Sequence, residues 1–303
     1  MSAQLGRLLT AMLTPFKSDG SVNYEAAEKL AVLLTADGSD GVVVSGTTGE
    51  SPALSDDEKI ELIKAIKKAI PGKSVVAGTG SNDTHHSVKL SERAMKAGAD
   101  ALLAVVPYYN KPPQEGMYQH FKAISEVGPT IMYNIQGRTA VNMTAATTLR
   151  CADLPGIIGV KEASGDLDQI GLVCAGRYPE SFHVWSGDDS WTLPLLAVGG
   201  QGVICVVSHI AGSSMKKMID AYTNGENEAA QKIHSGLLPV IKALMTIAAN
   251  PVPIKSVLNA LGFPAGPFRL PLVPLTKDQL SVAMQTVHEA GDLITFKSGV
   301  KVA

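Results

Sequence analysis

Cysteine is scarce in this chain: Cys151, Cys174 and Cys205 are all that its 303 residues contain. Three thiols so far apart make neither a disulfide framework nor a four-ligand zinc site, and reduced side chains are expected. An excess of one charge is missing as well. The 26 basic and 28 acidic residues leave a net charge of -2, and neither sign gathers into a block, which argues against nucleic acid or a membrane surface as partner. No apolar run approaches the roughly 18 residues needed to cross a bilayer. The opening stretch "MSAQLGRLLTAMLTPFK" lacks the charged start, long apolar core and small-residue cleavage site of a secretory leader, so a cytoplasmic location is expected. Also absent are a flexible linker and, after the first apolar run, a glycine-rich phosphate turn; that place is taken by "TPFKSDGSVN".

What is present is a large apolar reserve, 45% of the residues, sufficient for a sizeable core. It is dispensed in short runs: "LLTAML" (8–13), "GVVVSG" (41–46), "SVVAGTG" (74–80), "ALLAVV" (101–106), "TIMYN" (130–134), "IIGVK" (157–161), "FHVWSG" (182–187) and "GVICVV" (202–207). Apolar runs without polar alternation suit a parallel sheet covered on both faces, and the stretches between them have helical periodicity. The clearest helix follows the second run. There Ser55 and Glu58 have capping-box spacing, and Ile60, Ile63, Ile66 and Ile70 recur on one face. Eight strand-then-helix units are the count of a TIM (β/α)8 barrel; a doubly wound open sheet is the alternative, with fewer strands and the phosphate turn that is missing here. Beyond about residue 225 the strands stop and helical periodicity continues. The expected organisation is a barrel over residues 1–224 and a helical extension over 225–303 packed against it.

In such a barrel the working side chains lie at the C-terminal ends of the strands. Those ends read "SGTTGES", "VPYYNKPP", "YNIQGRT", "VKEASGD" and "SGDDS", and they collect Thr47, Thr48, Tyr108, Tyr109, Tyr133, Arg138 and Lys161. Gly46 and Gly49 would let the backbone of the Thr47–Thr48 turn approach a carboxylate closely, Arg138 offers a planar fork for a second, and tyrosine hydroxyls can pass protons. Each also has a plainer reading: a tight turn into a helix, packed tyrosines, a surface ion pair. Lys161 is the least ordinary of them, because it ends an apolar strand. Desolvation drives such an amine toward its neutral, nucleophilic form, whereas pairing with Glu162 in water would leave it inert.

Longer stretches add a family resemblance. "VVVSGTTGESPALSDDEK", "VPYYNKPPQEGMYQHF", "GVKEASGDL", "SGDDSWTLPLLAVGGQGVICVVSH" and "NPVPIKSVLNALGFPAGPFRLPLVPL" are similar to the dihydrodipicolinate synthase family, within the pyruvate-dependent class I aldolases that include N-acetylneuraminate lyase. The resemblance implies that Lys161 forms a Schiff base with pyruvate and that Tyr133, Thr47 and Tyr109 make a proton relay, with Tyr109 coming from a neighbouring subunit. It implies substrate contacts by Thr48, Arg138, Gly187 and Ile204, with L-aspartate 4-semialdehyde as the aldehyde partner. A pyruvate-dependent lyase acting on a sugar acid is the alternative, though "PYYN" and "GRT" favour the synthase. No cofactor or metal is implied, and the assembly implied is a homotetramer, a dimer of dimers. Ser51, Asp56, Lys59, Asn82, His86 and Tyr108 match a regulatory site for L-lysine at a dimer interface. Two departures fall beside Arg138: Gln136 replaces a usual proline and Ala140 a usual glycine, and alanine is expected to resist a positive φ there.

Overall fold

Segments such as "GVVV" and "TIMYN" have apolar side chains on both faces, so a sheet built from them needs cover on both sides. The computed structural model, which describes residues 5–176 and 178–296, supplies it by closing the sheet on itself. Strands β1 (Leu8–Ala11), β2 (Gly41–Val44), β3 (Ser74–Gly78), β4 (Ala101–Val105), β5 (Thr130–Asn134), β6 (Ile157–Glu162), β7 (His183–Ser186) and β8 (Gly202–Cys205) form one barrel in chain order. Every neighbouring pair is parallel, and β8 returns to β1 through Leu8–Val203, Leu9–Ile204 and Thr10–Cys205. The fold is a TIM barrel, and all eight apolar runs are its strands. Closure leaves no unpaired sheet edge.

Inside, Leu9, Val43, Val76, Leu103, Ile131 and Trp185 fill the barrel, while a second and larger apolar layer lies between the strands and the surrounding helices. Crowding dictates glycine at some places. A Cβ on Gly41 would come within 2.3 Å of the Ser74 carbonyl oxygen on the adjacent strand. The helix Asp56–Ala69 has the expected capping box, Ser55 accepting from the Glu58 N–H and Glu58 from that of Ser55, and it buries Ile60, Ile63 and Ile66 against the barrel.

Among the described residues three α-helices follow the barrel's last outer helix: Asn227–Thr246, Val252–Ala260 and Lys277–Glu289. The barrel was expected from residue 1 and the extension to residue 303; residues 1–4 and 297–303 lie outside the described residues. This C-terminal part grips the C-terminal end of the barrel by charge. The side chains of Lys255 and Glu50 are both 0% exposed and meet at 2.7 Å; the same ammonium donates to the Thr14 carbonyl at 3.0 Å and lies 4.2 Å from the centre of the Phe16 ring. Arg269 adds a fork onto Glu58 and a bond to the Ala53 carbonyl. That fork is the main reason the Glu58 carboxyl titrates at about 2.

A buried ion pair contributes modestly when whole, because desolvation offsets much of the attraction, but removing one member strands the other. Lys255→Ala should therefore destabilise the protein by about 3 to 5 kcal/mol. The double variant Glu50→Gln/Lys255→Met should recover a large part of that loss. Denaturant midpoints of the three proteins measure both effects.

Candidate active site

Lys161 is the penultimate residue of β6, and its side chain points into the barrel with only 5% of the residue exposed. Its strand neighbour Glu162 faces the other way, as the pleat requires. Glu162 is buried between barrel and helices, where it accepts from the Asn134 amide at 3.1 Å and the Ser164 N–H at 2.7 Å. The two side chains therefore form no surface ion pair. Burial lowers the Lys161 pKa to about 8; the negative charge of Asp189 opposes that fall and the positive charge of Arg138 adds to it. About a tenth of the amine is then neutral at pH 7, roughly three hundredfold more than at the ordinary lysine pKa.

Register sets the next partner. Tyr133 on β5 is paired directly with Lys161, and Trp185 on β7 flanks it from the other side. The Lys161 ammonium lies 4.3 Å from the centre of the Tyr133 ring. Burial pushes the Tyr133 phenol up to about 12, against the pull of the Arg138 charge and the Thr47 hydroxyl, so it holds its proton at neutral pH. Gly187 closes over the amine from the end of β7. A Cβ there would sit 3.1 Å from Lys161 Cε and 2.7 Å from Ala163 Cβ, so the close approach requires glycine. Ile204 is fully buried in the barrel interior beneath this group.

The turn after β2 is held open by unusual backbone. Ser45 (φ 58) and Glu50 (φ 55) take the left-handed conformation; Gly46 and Gly49 do not. Gly49 is needed for space instead, since a Cβ would lie 3.2 Å from the Met12 carbonyl oxygen. Within the turn the N–H groups of Gly49, Glu50 and Ser51 are bonded back to the carbonyls of Gly46 and Thr47. Those of Thr47 and Thr48 have no protein acceptor among the described residues, and they are the donors a carboxylate would find.

Arg138 lies on the short helix Gln136–Thr139, exposed at the mouth, and donates to the Asn250 carbonyl at 3.0 Å. Ala140 does not resist a positive φ. It caps that helix at φ 61, its N–H bonded to the Gln136 carbonyl, and so corrects the expectation drawn from its Cβ. The left-handed conformation costs a residue with a Cβ about 1–2 kcal/mol, and the helix cap absorbs it.

Thr47, Tyr133 and Arg138 line a cleft of about 660 Å³. Lys161 lies behind the Tyr133 ring and is not part of its wall. The same cleft continues outward past Ser51, Asp56, Lys59, Asn82, His86 and Tyr108, so the residues matched to a regulatory site share one cavity with Thr47, Tyr133 and Arg138. In that outer half His86 Nε2 lies 2.8 Å and Lys59 Nζ 3.8 Å from the Asp56 carboxylate. Tyr109 stands apart. It is 89% exposed at φ 72, on the loop after β4, and does not reach the site of its own chain.

Three residues of this neighbourhood went unnoticed in the sequence. Asp189, 1% exposed, accepts from the N–H groups of Val206 (3.0 Å) and Val207 (2.6 Å) and so pins the end of β8; burial raises its pKa to about 6. The "SGDDS" strand end carried the signal for it. Lys255 comes from the helix Val252–Ala260 and Asn250 from the turn before it, and no local pattern pointed to either. Among the described residues no group of three or more His, Cys, Asp or Glu side chains is arranged to hold a metal ion, and the three cysteines are unpaired.

Comparison with known proteins gives a consistent result. A family model described as the dihydrodipicolinate synthetase family matches residues 4–290. A protein of Moorella thermoacetica named 4-hydroxy-tetrahydrodipicolinate synthase is 52% identical over 95% of this chain and 99% of its own length. One of the same name from Bacillus subtilis is 49% identical over 94% of this chain and 99% of its own. Among solved structures, DHDPS from Cyanidioschyzon merolae with lysine bound superposes with a TM-score of 0.92 at 43% identity, covering 95% of this chain and 98% of that one.

Proposed function

Because the chain belongs to the dihydrodipicolinate synthetase family, we propose that it is a lyase condensing pyruvate with L-aspartate 4-semialdehyde through a Schiff base on Lys161, in the biosynthesis of diaminopimelate and lysine. The observation that carries this reading is the buried amine of Lys161, with its depressed pKa, set against a protonated tyrosine in a chain about half identical to the synthases.

The neutral amine adds to the ketone carbon of pyruvate, while the pyruvate carboxylate rests on the free N–H groups and hydroxyls of Thr47 and Thr48. The Tyr133 phenol, still protonated, gives a proton to the departing hydroxyl, and water leaves to form the imine. Loss of a proton from the methyl group gives an enamine. Its carbon attacks the aldehyde, whose carboxylate is held by the Arg138 fork, and the new alkoxide takes a proton from the relay. The amino group of the second substrate then displaces Lys161, closing the ring and regenerating the free amine. Thr47 links Tyr133 to Tyr109 of a neighbouring subunit in this scheme; the exposure of Tyr109 on its own chain supports such a donation. The assembly we propose is a homotetramer built as a dimer of dimers. Among the described residues no helix is long and apolar enough to cross a membrane, and the cytoplasm is the location we propose.

Pyruvate with borohydride should add one reduced pyruvate to the intact mass, on Lys161, and Lys161→Ala should abolish both labelling and turnover. Since the neutral amine attacks, the second-order rate of imine formation should rise with pH and level off above about 8. Labelling of another lysine, or turnover without trapping, would overturn the assignment.

Two inactive variants test the shared relay. Tyr109→Phe and Lys161→Ala, each alone nearly silent, should regain part of the activity when co-assembled, because one mixed site then contains both wild-type residues. A fully active monomer at assay concentration contradicts it.

Inhibition by L-lysine should be weak or absent. The carboxylate best placed to hold an incoming ammonium, Asp56, is already engaged by the His86 ring at 2.8 Å and by Lys59 at 3.8 Å, and the Lys59 cation repels another. Titration of L-lysine at saturating pyruvate checks this; strong inhibition below millimolar concentration is the contrary result, and His86→Glu should increase sensitivity.

A further inference from the structure

The helix Val252–Ala260 and the residue two places before it hold the carboxylate-binding turn at two points. Lys255 grips Glu50, and Asn250 reaches Thr48: the Asn250 amide nitrogen lies 2.9 Å from Thr48 Oγ1. This second contact has a direction. An amide N–H can only donate, so the Thr48 oxygen accepts and its own hydrogen is turned elsewhere. Thr48 is 2% exposed and its hydroxyl finds no other partner among the described residues. The other end of the Asn250 side chain is idle, since Oδ1 is buried without a hydrogen bond. The side chain is therefore anchored to the site through Thr48 alone, whereas Arg138 is held by the backbone carbonyl of Asn250 and does not depend on which side chain residue 250 carries.

We propose that Asn250 is a positioning residue for the 2-oxo acid: by donating to Thr48 Oγ1 it orients the Thr48 hydroxyl so that its proton faces the substrate carboxylate. The inference rests on the function proposed above, in which the Thr47–Thr48 turn receives the carboxylate of pyruvate. Lys255 makes the device rigid. With its ammonium fixed between Glu50 and the Thr14 carbonyl, the helix that follows Asn250 cannot drift from the turn that Asn250 orients. The two carboxylates of the reaction are thus separately served. Thr48 answers to the side chain of Asn250, and Arg138 answers to its backbone.

Steady-state kinetics on Asn250→Ala, Asn250→Asp, Thr48→Val and the double variant Thr48→Val/Asn250→Ala test this. One lost orienting hydrogen bond amounts to roughly tenfold in affinity, so Asn250→Ala should raise KM for pyruvate about tenfold. Its KM for the aldehyde and its kcat should each stay within about twofold to threefold, because Arg138 and Lys161 keep their partners. Asn250→Asp should be worse for pyruvate than Asn250→Ala, although it is closer in shape: a carboxylate accepts, turns the Thr48 proton toward itself and adds a negative charge beside the substrate's. In the Thr48→Val background Asn250→Ala should change KM for pyruvate less than twofold, since the hydroxyl it acts on is gone. Equal rises in both KM values, an aspartate variant no worse than the alanine variant, or additive effects in the double variant would each overturn the proposal and leave Asn250 a mere packing residue. Wild-type trapping with pyruvate and borohydride, run in parallel, separates the two levels. If the wild type is trapped and the kinetic pattern fails, only the role of Asn250 falls; if it is not trapped, the proposed function falls and this role with it.

Discussion

An amine taken out of water is the constraint around which this molecule is organised. Burial disfavours the ammonium of Lys161, and no carboxylate among the described residues forms an ion pair with it that would restore the charge. The barrel makes that burial possible. Parallel strands covered on both faces hold Lys161 level with Tyr133 and Trp185, and Gly187 comes close enough to exclude solvent from its methylenes. The surrounding charges set the degree of the effect: Asp189 restrains the fall in pKa, while Arg138 deepens it. Were Asp189 absent more of the amine would be neutral at pH 7, but the imine proposed for it, once protonated, would lose a favourable charge nearby.

Much of this was legible in the sequence, for reasons that are local. The strands could be read because each is a short apolar run with no polar alternation, and the helix after β2 because Ser55 and Glu58 carry their capping function within four residues. Lys161 stood out as a cation at the end of such a run. Tyr133, Thr47 and Arg138 followed from a topological rule, that strand ends of one barrel meet, which needs no knowledge of distances. What could not be read depends on pairs far apart in the chain. Asn250 and Thr48, Lys255 and Glu50, Arg269 and Glu58 are each separated by some two hundred residues, and no periodicity or motif connects them. Ala140 is a different case: intrinsic preference was judged correctly, but a cap hydrogen bond outweighs it.

One cleft holds both Tyr133 with Arg138 and the residues matched to a regulatory site. Tyr133 and Arg138 at one end and Asp56 and His86 at the other line the same space. Asp56 matters here because it is engaged from both sides, by His86 and by Lys59, and the outer wall is consequently neither strongly acidic nor strongly basic.

The ion pair between Glu50 and Lys255 bears on how the protein is made. Its members are 205 residues apart, so when the barrel's second strand leaves the ribosome the partner of Glu50 has yet to be translated. Until more than four-fifths of the chain has emerged, the carboxylate of Glu50 has no counter-charge and cannot be buried without a large desolvation penalty. The turn after β2 is then among the last parts to set. A chain cut short before Lys255 would have every residue of the barrel and still carry an unformed site.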